Sequence, residues 1–171
     1  VTSLWDFADN LYRQPNVQDC CLNLQDNHGV DVCLLIAMVW YGNNGERIDK
    51  LRMSALIAST QQWRESFVAR LRALRKLLAS PDTEYEAIAT LDIAAAYTAI
   101  KQLELLAEKA TLNSIATNYP LASQTTYPLE QRAKSIRLNV RYYLSSLVTV
   151  PDTAISSIIS VLLDATNITQ R

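Results

Sequence analysis

Three features of the sequence predict an all-α fold. Only 3 Gly and 5 Pro interrupt 171 residues, while Ala, Leu, Gln, Glu and Arg are abundant; these lose little freedom in a helix. Apolar residues recur at three- and four-residue spacing in segment after segment. The run from Val30 to Trp40 is apolar all round, with Val32, Leu35, Ile36 and Val39 on one side and Leu34, Ala37, Met38 and Tyr41 covering the other, so neither face suits water. It is far shorter than the roughly 20 apolar residues that cross a bilayer, which makes it a core helix. The expectation is a single-domain helical bundle over 1–171, with about six to eight helices around a central buried helix near 30–41. Within it, 1–45 forms N-terminal helical hairpins with the central helix, 48–111 a long helix pair and 128–169 a C-terminal pair.

Ser3 with Asp6 reads as an imperfect capping box, and Leu4, Ala8 and Leu11 give the first helix its apolar face before Arg13 closes it. Pro15 suits the first turn of a second helix carrying Val17, Cys21, Leu24 and His28, and Gly29 ends that helix in the left-handed conformation. Asp31 caps the central helix, with Val30 and Leu35 as a hydrophobic staple, and the loop Gly42, Asn43, Asn44, Gly45 ends it. From about Ile48 to Ala79 the pattern is helical, bent near Ser59 and Thr60, with Thr60, Trp63, Phe67, Leu71, Leu74 and Leu78 on one stripe. Arg64 and Arg75 flank that stripe on one side and Arg70 on the other, and Arg72 and Lys76 point away.

Thr83 and Glu86 form a capping box for a helix running to about Thr111, with Tyr85, Ile88, Ala89, Ile93, Ala96, Ile100, Leu103, Ala107 and Ala110 inward. Asp92 falls in this stripe, and an acid there needs a partner; Arg64, Arg70 and Arg75 are the candidates. Residues 112–127 read as the longest irregular connection. Pro128 starts a helix with core stripe Leu129, Ala133, Ile136, Val140, Tyr143, Leu144 and Leu147, and Leu138 and Tyr142 opposite it predict cover on two sides. Pro151 opens the last helix, where Ile155, Ile158, Ile159, Leu162 and Ala165 pack.

A net charge of −1 gives no case for nucleic acid or an acidic surface. The charge is blocked, at −4, +5, −5 and +3 over residues 1–44, 45–80, 81–130 and 131–171, which suits complementary flanks on neighbouring helices. Three cysteines, Cys20, Cys21 and Cys33, are an odd set without a paired spacing, so the expectation is free thiols in a reducing compartment. With no apolar leader run and no stop-transfer run, the sequence reads as soluble and cytoplasmic.

The residues of chemical interest gather at one turn. His28, the only histidine, lies between Asp26 and Asp31, with Gln25 alongside, and a histidine among carboxylates is a proton-transfer arrangement. No zinc spacing, glycine-serine-glycine elbow or phosphate-cradling loop accompanies it, so no metal, cofactor or catalytic residue is expected. Trp5, Trp40 and Trp63 with Tyr12 and Tyr41 could line a ligand pocket between helices, with Arg64 beside Trp63, while core packing is the default for aromatics at these spacings. The basic groups from Arg64 to Lys76 are spread round their helix, and Glu65 interrupts them, which is a solvated face more than a nucleic-acid footprint.

Leu4-Trp5-Asp6-Phe7-Ala8, Leu11-Tyr12-Arg13, Pro15, Cys21-Leu22, Leu24-Gln25-Asp26, His28-Gly29, Asp31-Val32, Leu34-Leu35 and Trp40, continued by Trp63, Val68, Leu71-Arg72 and Arg75, resemble a family of small helical proteins of Gram-negative bacteria with a domain of unknown function. The first 80 or so residues carry the resemblance. It implies a bacterial, soluble, helical protein and brings no activity with it. The reading is a non-enzymatic module that binds a protein partner or itself; the alternative is a small-molecule-binding or catalytic domain centred on Gln25 to Asp31 and the nearby aromatics.

Overall fold

The structure, a computed structural model, describes residues 2–79, 92–122, 125–147 and 149–167. They form eight α-helices and no strand: α1 (Leu4–Tyr12), α2 (Val17–His28), α3 (Val32–Asn43), α4 (Lys50–Trp63), α5 (Ala69–Ala79), α6 (Ile93–Asn118), α7 (Leu129–Ser145) and α8 (Asp152–Ala165). The all-α expectation holds. The chain divides into two compact units, one of Val1–Leu56 with Leu112–Arg171 and the other of Ile57–Thr111. The capping box at Thr83 and Glu86 and the inward positions expected at Tyr85, Ile88 and Ala89 lie outside the described residues.

In the first unit α3 is the central helix, buried from Val32 to Gly42 on every face. Its start is built as expected: the Asp31 side chain accepts hydrogen bonds from the backbone N–H of Cys33 and Leu34, at 2.9 and 3.3 Å. Gly42, read as loop, lies inside its last turn. There α3 meets α7 closely enough that a Cβ would stand 2.5 Å from the Ile136 nitrogen, so any larger residue would drive the helices apart. Polar groups fix the rest of that seam. The Asn139 side chain, 1% exposed, accepts from Ile48 N–H and donates to the carbonyls of Glu46 and Met38. Tyr143 exchanges hydrogen bonds with the backbone of Asp31, and Arg132 donates to the Asn43 carbonyl.

Ala133, Ile136, Val140, Tyr143 and Leu144 bury the stripe expected for α7, but Leu129 at its start is exposed, as are Leu138 and Tyr142, so α7 is covered on one side only. Ile155, Ile158, Ile159 and Leu162 bury α8, joined by Leu163. Pro15 falls in the turn before α2, and Asn16, at φ 65°, precedes the helix because asparagine tolerates the left-handed region. The expected connection at 112–127 is shorter, since α6 continues to Asn118. Leu112 and Ile115 extend its buried row, and the Asn118 side chain bonds back to Ser114.

The described residues of the second unit form two antiparallel helical segments. Arg72 pairs with Glu108 and Arg75 with Glu104, each at 2.9 Å, so the partner number falls as the chain advances. The irregularity expected near Ser59 and Thr60 sits instead at Arg64–Val68, a π-helical turn in which Ala69 N–H reaches back five residues to the Arg64 carbonyl and the Ser66 hydroxyl donates to Gln62. Such a turn holds one extra residue, which rotates the next stretch of helix about its axis. The inward residue is therefore Val68 and not Phe67, and Arg72 and Arg75 turn toward α6.

On α6 the buried row is Ile100, Glu104, Ala107 and Thr111, whereas Leu103 and Ala110, expected inward, are exposed. Glu104 is held in the row by Arg75. Asp92 has a different role from the one expected: it is exposed, and its carboxylate accepts from Ala95 N–H at 2.9 Å as the cap of α6. The phase fails there because the described helix starts at Ile93, so Asp92 stands at its end and not within its stripe.

Candidate functional site

The turn from Gln25 to Asp31 is tied up by the fold. Gly29 has φ 66° and its N–H returns to the Gln25 carbonyl at 3.1 Å. His28 Nδ1 donates to the Thr149 carbonyl at 2.6 Å while the Thr149 hydroxyl donates to the His28 carbonyl at 2.9 Å. This reciprocal pair joins the end of α2 to the α7–α8 connection. Asp31 is buried and spends its carboxylate on the α3 cap. Asp26 is exposed and Gln25 half-buried. His28 and Asp31 thus share a corner, each turned to its own structural partner.

Trp40 does not join them. It lies nine residues beyond Asp31, about 14 Å along α3 at 1.5 Å per residue, where its indole N–H donates to the Thr2 carbonyl. Trp63 and Arg64 belong to the second unit. Among the described residues no group of three or more His, Cys, Asp or Glu side chains is placed to hold a metal ion.

Two polar arrangements in the first unit escaped the sequence reading. Arg52 pairs with Glu46, donates to the carbonyls of Tyr119 and Pro120 at 3.1 and 2.8 Å, and covers the Tyr41 ring at 4.8 Å. Tyr41 donates to the same Tyr119 carbonyl at 2.7 Å; burial, partly opposed by Arg52, pushes its hydroxyl up to about 12. Its donors and acceptors are spent on one another, which makes it a clasp for the chain after α6. Elsewhere a pocket of about 230 Å³ is lined by Phe7, Asn10, Gln14, Asn43, Arg132 and Thr166 among others. Arg132 is engaged there by Asn43. No sequence signal marks either one, because the spacing between their residues is long and irregular.

The second unit carries the arrangement with the clearest unspent chemistry. Trp63 and Phe67 stack, with ring centroids 4.4 Å apart and planes at 19°, and are 40% and 38% exposed. Leu71, Leu74 and Leu78 continue their row at helical spacing, with Leu74 exposed. On α6, Ala99, Leu103, Leu106 and Ala110 recur at similar spacing, and Leu103 and Leu106 are 46% and 62% exposed. Relative to the buried row of each helix, these apolar rows are rotated in one sense and the salt-bridging Arg72 and Glu108 in the other. In an antiparallel pair, offsets of the same sense fall on the same side. The described helices of the unit therefore carry an ion-paired flank and an apolar flank, with Leu74 level with Leu106 in the register the salt bridges set.

The sequence held half of this signal. The Trp63 to Leu78 stripe is legible in the sequence, but apolar periodicity points Leu103 and Ala110 inward, because the buried row contains Glu104, which apolar periodicity alone cannot find. A search of curated proteins and one of solved structures both find no match. Residues 3–115 match the family described as Protein of unknown function (DUF2390), a span that runs from α1 well into α6 and includes both the His28 turn and the Trp63–Phe67 stack, and the chain belongs to that family.

Proposed function

We propose that this chain is a non-enzymatic protein-interaction module whose contact surface is the apolar flank of the 57–111 unit. The observation that supports this most is the row of half-exposed Trp63, Phe67, Leu74, Leu103 and Leu106 on one side of two helices. Scattered exposed leucines are ordinary, but contiguous large side chains from two elements, with an aromatic pair among them, are the composition of an interface core. His28 and Asp31 of the Gln25 to Asp31 turn, by contrast, are engaged in a loop contact and a helix cap, which supports a structural role for that turn over a ligand site. Among the described residues no helix is long and apolar enough to cross a membrane. Cys20, Cys21 and Cys33 form no disulfide, which suits a reducing, cytoplasmic setting.

The test is association measured by sedimentation velocity and by cross-linking in the native cell. The expected result is a complex, with itself or another protein, that Leu103→Asp with Leu106→Asp abolishes while circular dichroism and thermal unfolding stay as in the parent chain. A protein that stays monomeric and cross-links to nothing, or a complex indifferent to the double substitution, would overturn the proposal.

A further inference from the structure

We propose that the cleft beside α1 binds a small polyhydroxylated monocarboxylate, a sugar acid in its chemistry, with Arg132 taking the carboxylate. The cleft, of about 230 Å³, lies within the first unit, where α1 and Gln14 meet the ends of α3 and α8 and the first turn of α7. It is independent of the apolar flank.

Among the described residues that line it, Arg132 is the one cation, and no carboxylate is present. Arg132 is half-buried, and the Nε–Nη2 edge of its guanidinium is held by a single residue, through the Asn43 carbonyl at 2.7 Å and the Asn43 side-chain oxygen. Both acceptors are neutral. Arg132 makes no ion pair with a described residue, and its Nη1 has no partner among them. A guanidinium offers two forks, and the one left here, Nη1 with Nη2, matches the two oxygens of a carboxylate.

The rest of the lining selects the body of the ligand. Asn10, Gln14, Asn43 and Asn167 bring side-chain amides, which both donate and accept, as hydroxyl groups do. An ammonium group would find no described carboxylate in the lining, which disfavours an amino acid. Phosphate carries a charge of about −1.5 to −2 at neutral pH and would meet one cation. Phe7 and Leu11 give the carbon chain an apolar wall. The volume is below the roughly 300–1,000 Å³ of pockets for drug-sized ligands, which suits a single sugar unit. The Thr166 hydroxyl is spent on the Leu162 and Leu163 carbonyls, and no histidine or cysteine is in the described lining, so the cleft holds its ligand without reacting with it.

The probe is gluconate, titrated into the isotope-labelled full chain and followed by the side-chain amide signals of Asn10 and Asn43. Glucitol, its uncharged counterpart, and inorganic phosphate are the comparisons. We expect saturable shifts with gluconate and none with the other two. Asn10 is exposed, so Asn10→Asp should leave thermal unfolding unchanged; its new carboxylate should weaken gluconate about tenfold or more by repulsion at close range. Arg132→Lys keeps the charge, loses the fork and should weaken gluconate too. Should that variant unfold more easily, Asn10→Asp carries the test alone. No saturable shift with gluconate, an equal shift with glucitol, tighter binding of phosphate, or an affinity unchanged by Asn10→Asp would each overturn the inference.

Discussion

Gly29 is exposed, and a Cβ added there would meet nothing within 4 Å, yet its φ is 66°. The cost of replacing it is therefore purely conformational. Gly29→Ala should destabilise by about 1 kcal/mol or more in urea unfolding, and Gly29→Asn by less, because asparagine enters the left-handed region more readily. Equal losses for the two would mean that something other than backbone strain is at work. Asn139 makes the opposite kind of contribution, since its backbone is ordinary helix and its side chain is the only thing that matters. It satisfies the Ile48 N–H and the Met38 and Glu46 carbonyls in the buried α3–α7 seam. Asn139→Ala takes the side-chain partner from the Ile48 N–H and the Glu46 carbonyl, and with about 1–3 kcal/mol for a buried polar group left unpaired, the loss should exceed that of Gly29→Ala. Gly29 was legible in the sequence, because a glycine after a helical run and before a capping aspartate has one common use. Asn139 was not, since an asparagine three residues from Ile136 and four from Tyr143 looks like any polar helix position until its partners, about 90 to 100 residues away, are in place.

At the scale of elements, the sequence marked α3 correctly because a helix apolar on all sides has only one place to go. It misplaced the inward rows of the second unit for two physical reasons. The π-helical turn at Arg64–Val68 adds a residue that a fixed 3.6-residue period does not count, and a buried ion pair puts a charged residue, Glu104, where periodicity looks for a leucine. Three substitutions separate the roles of the charges. Arg75→Ala leaves the Glu104 carboxylate, 11% exposed, without its partner and should cost about 3 kcal/mol. Arg72→Ala removes a pair whose Glu108 is 33% exposed and should cost about 1 kcal/mol or less. Asp92→Ala removes an exposed cap, worth about 1 kcal/mol, well short of the loss expected had it been buried against an arginine. Chemical denaturation of the three variants gives the order directly, and a loss at Asp92 equal to that at Arg75 would contradict the cap.

For the molecule as a whole, two buried acids of the first unit bear on how stability responds to pH. Burial pushes the Tyr41 hydroxyl up to about 12, and burial, with a smaller contribution from Cys20, raises the Cys21 thiol to about 12 as well. Each group is neutral when protonated, so the folded chain keeps a proton that the unfolded chain releases at the ordinary value, near 10.0 for tyrosine and 9.0 for cysteine. Above those values the unfolded state binds fewer protons than the folded state, and the unfolding free energy falls as pH rises. The stabilisation is complete at neutral pH, begins to drop when the unfolded thiol ionises, drops further when the unfolded phenol does, and is gone once pH passes the raised values. Urea midpoints measured from about pH 8 to 11 should therefore decline in two overlapping steps. Tyr41→Phe should flatten the upper step and, by removing the bond to the Tyr119 carbonyl, lower stability at neutral pH by about 1 kcal/mol. Cys21→Ala should flatten the lower step, again from a reduced starting stability because the site is fully buried. A midpoint that stays level to pH 11 in the parent chain would mean that both groups reach water in the native state, and that α2 and α3 are not packed into the first unit as described.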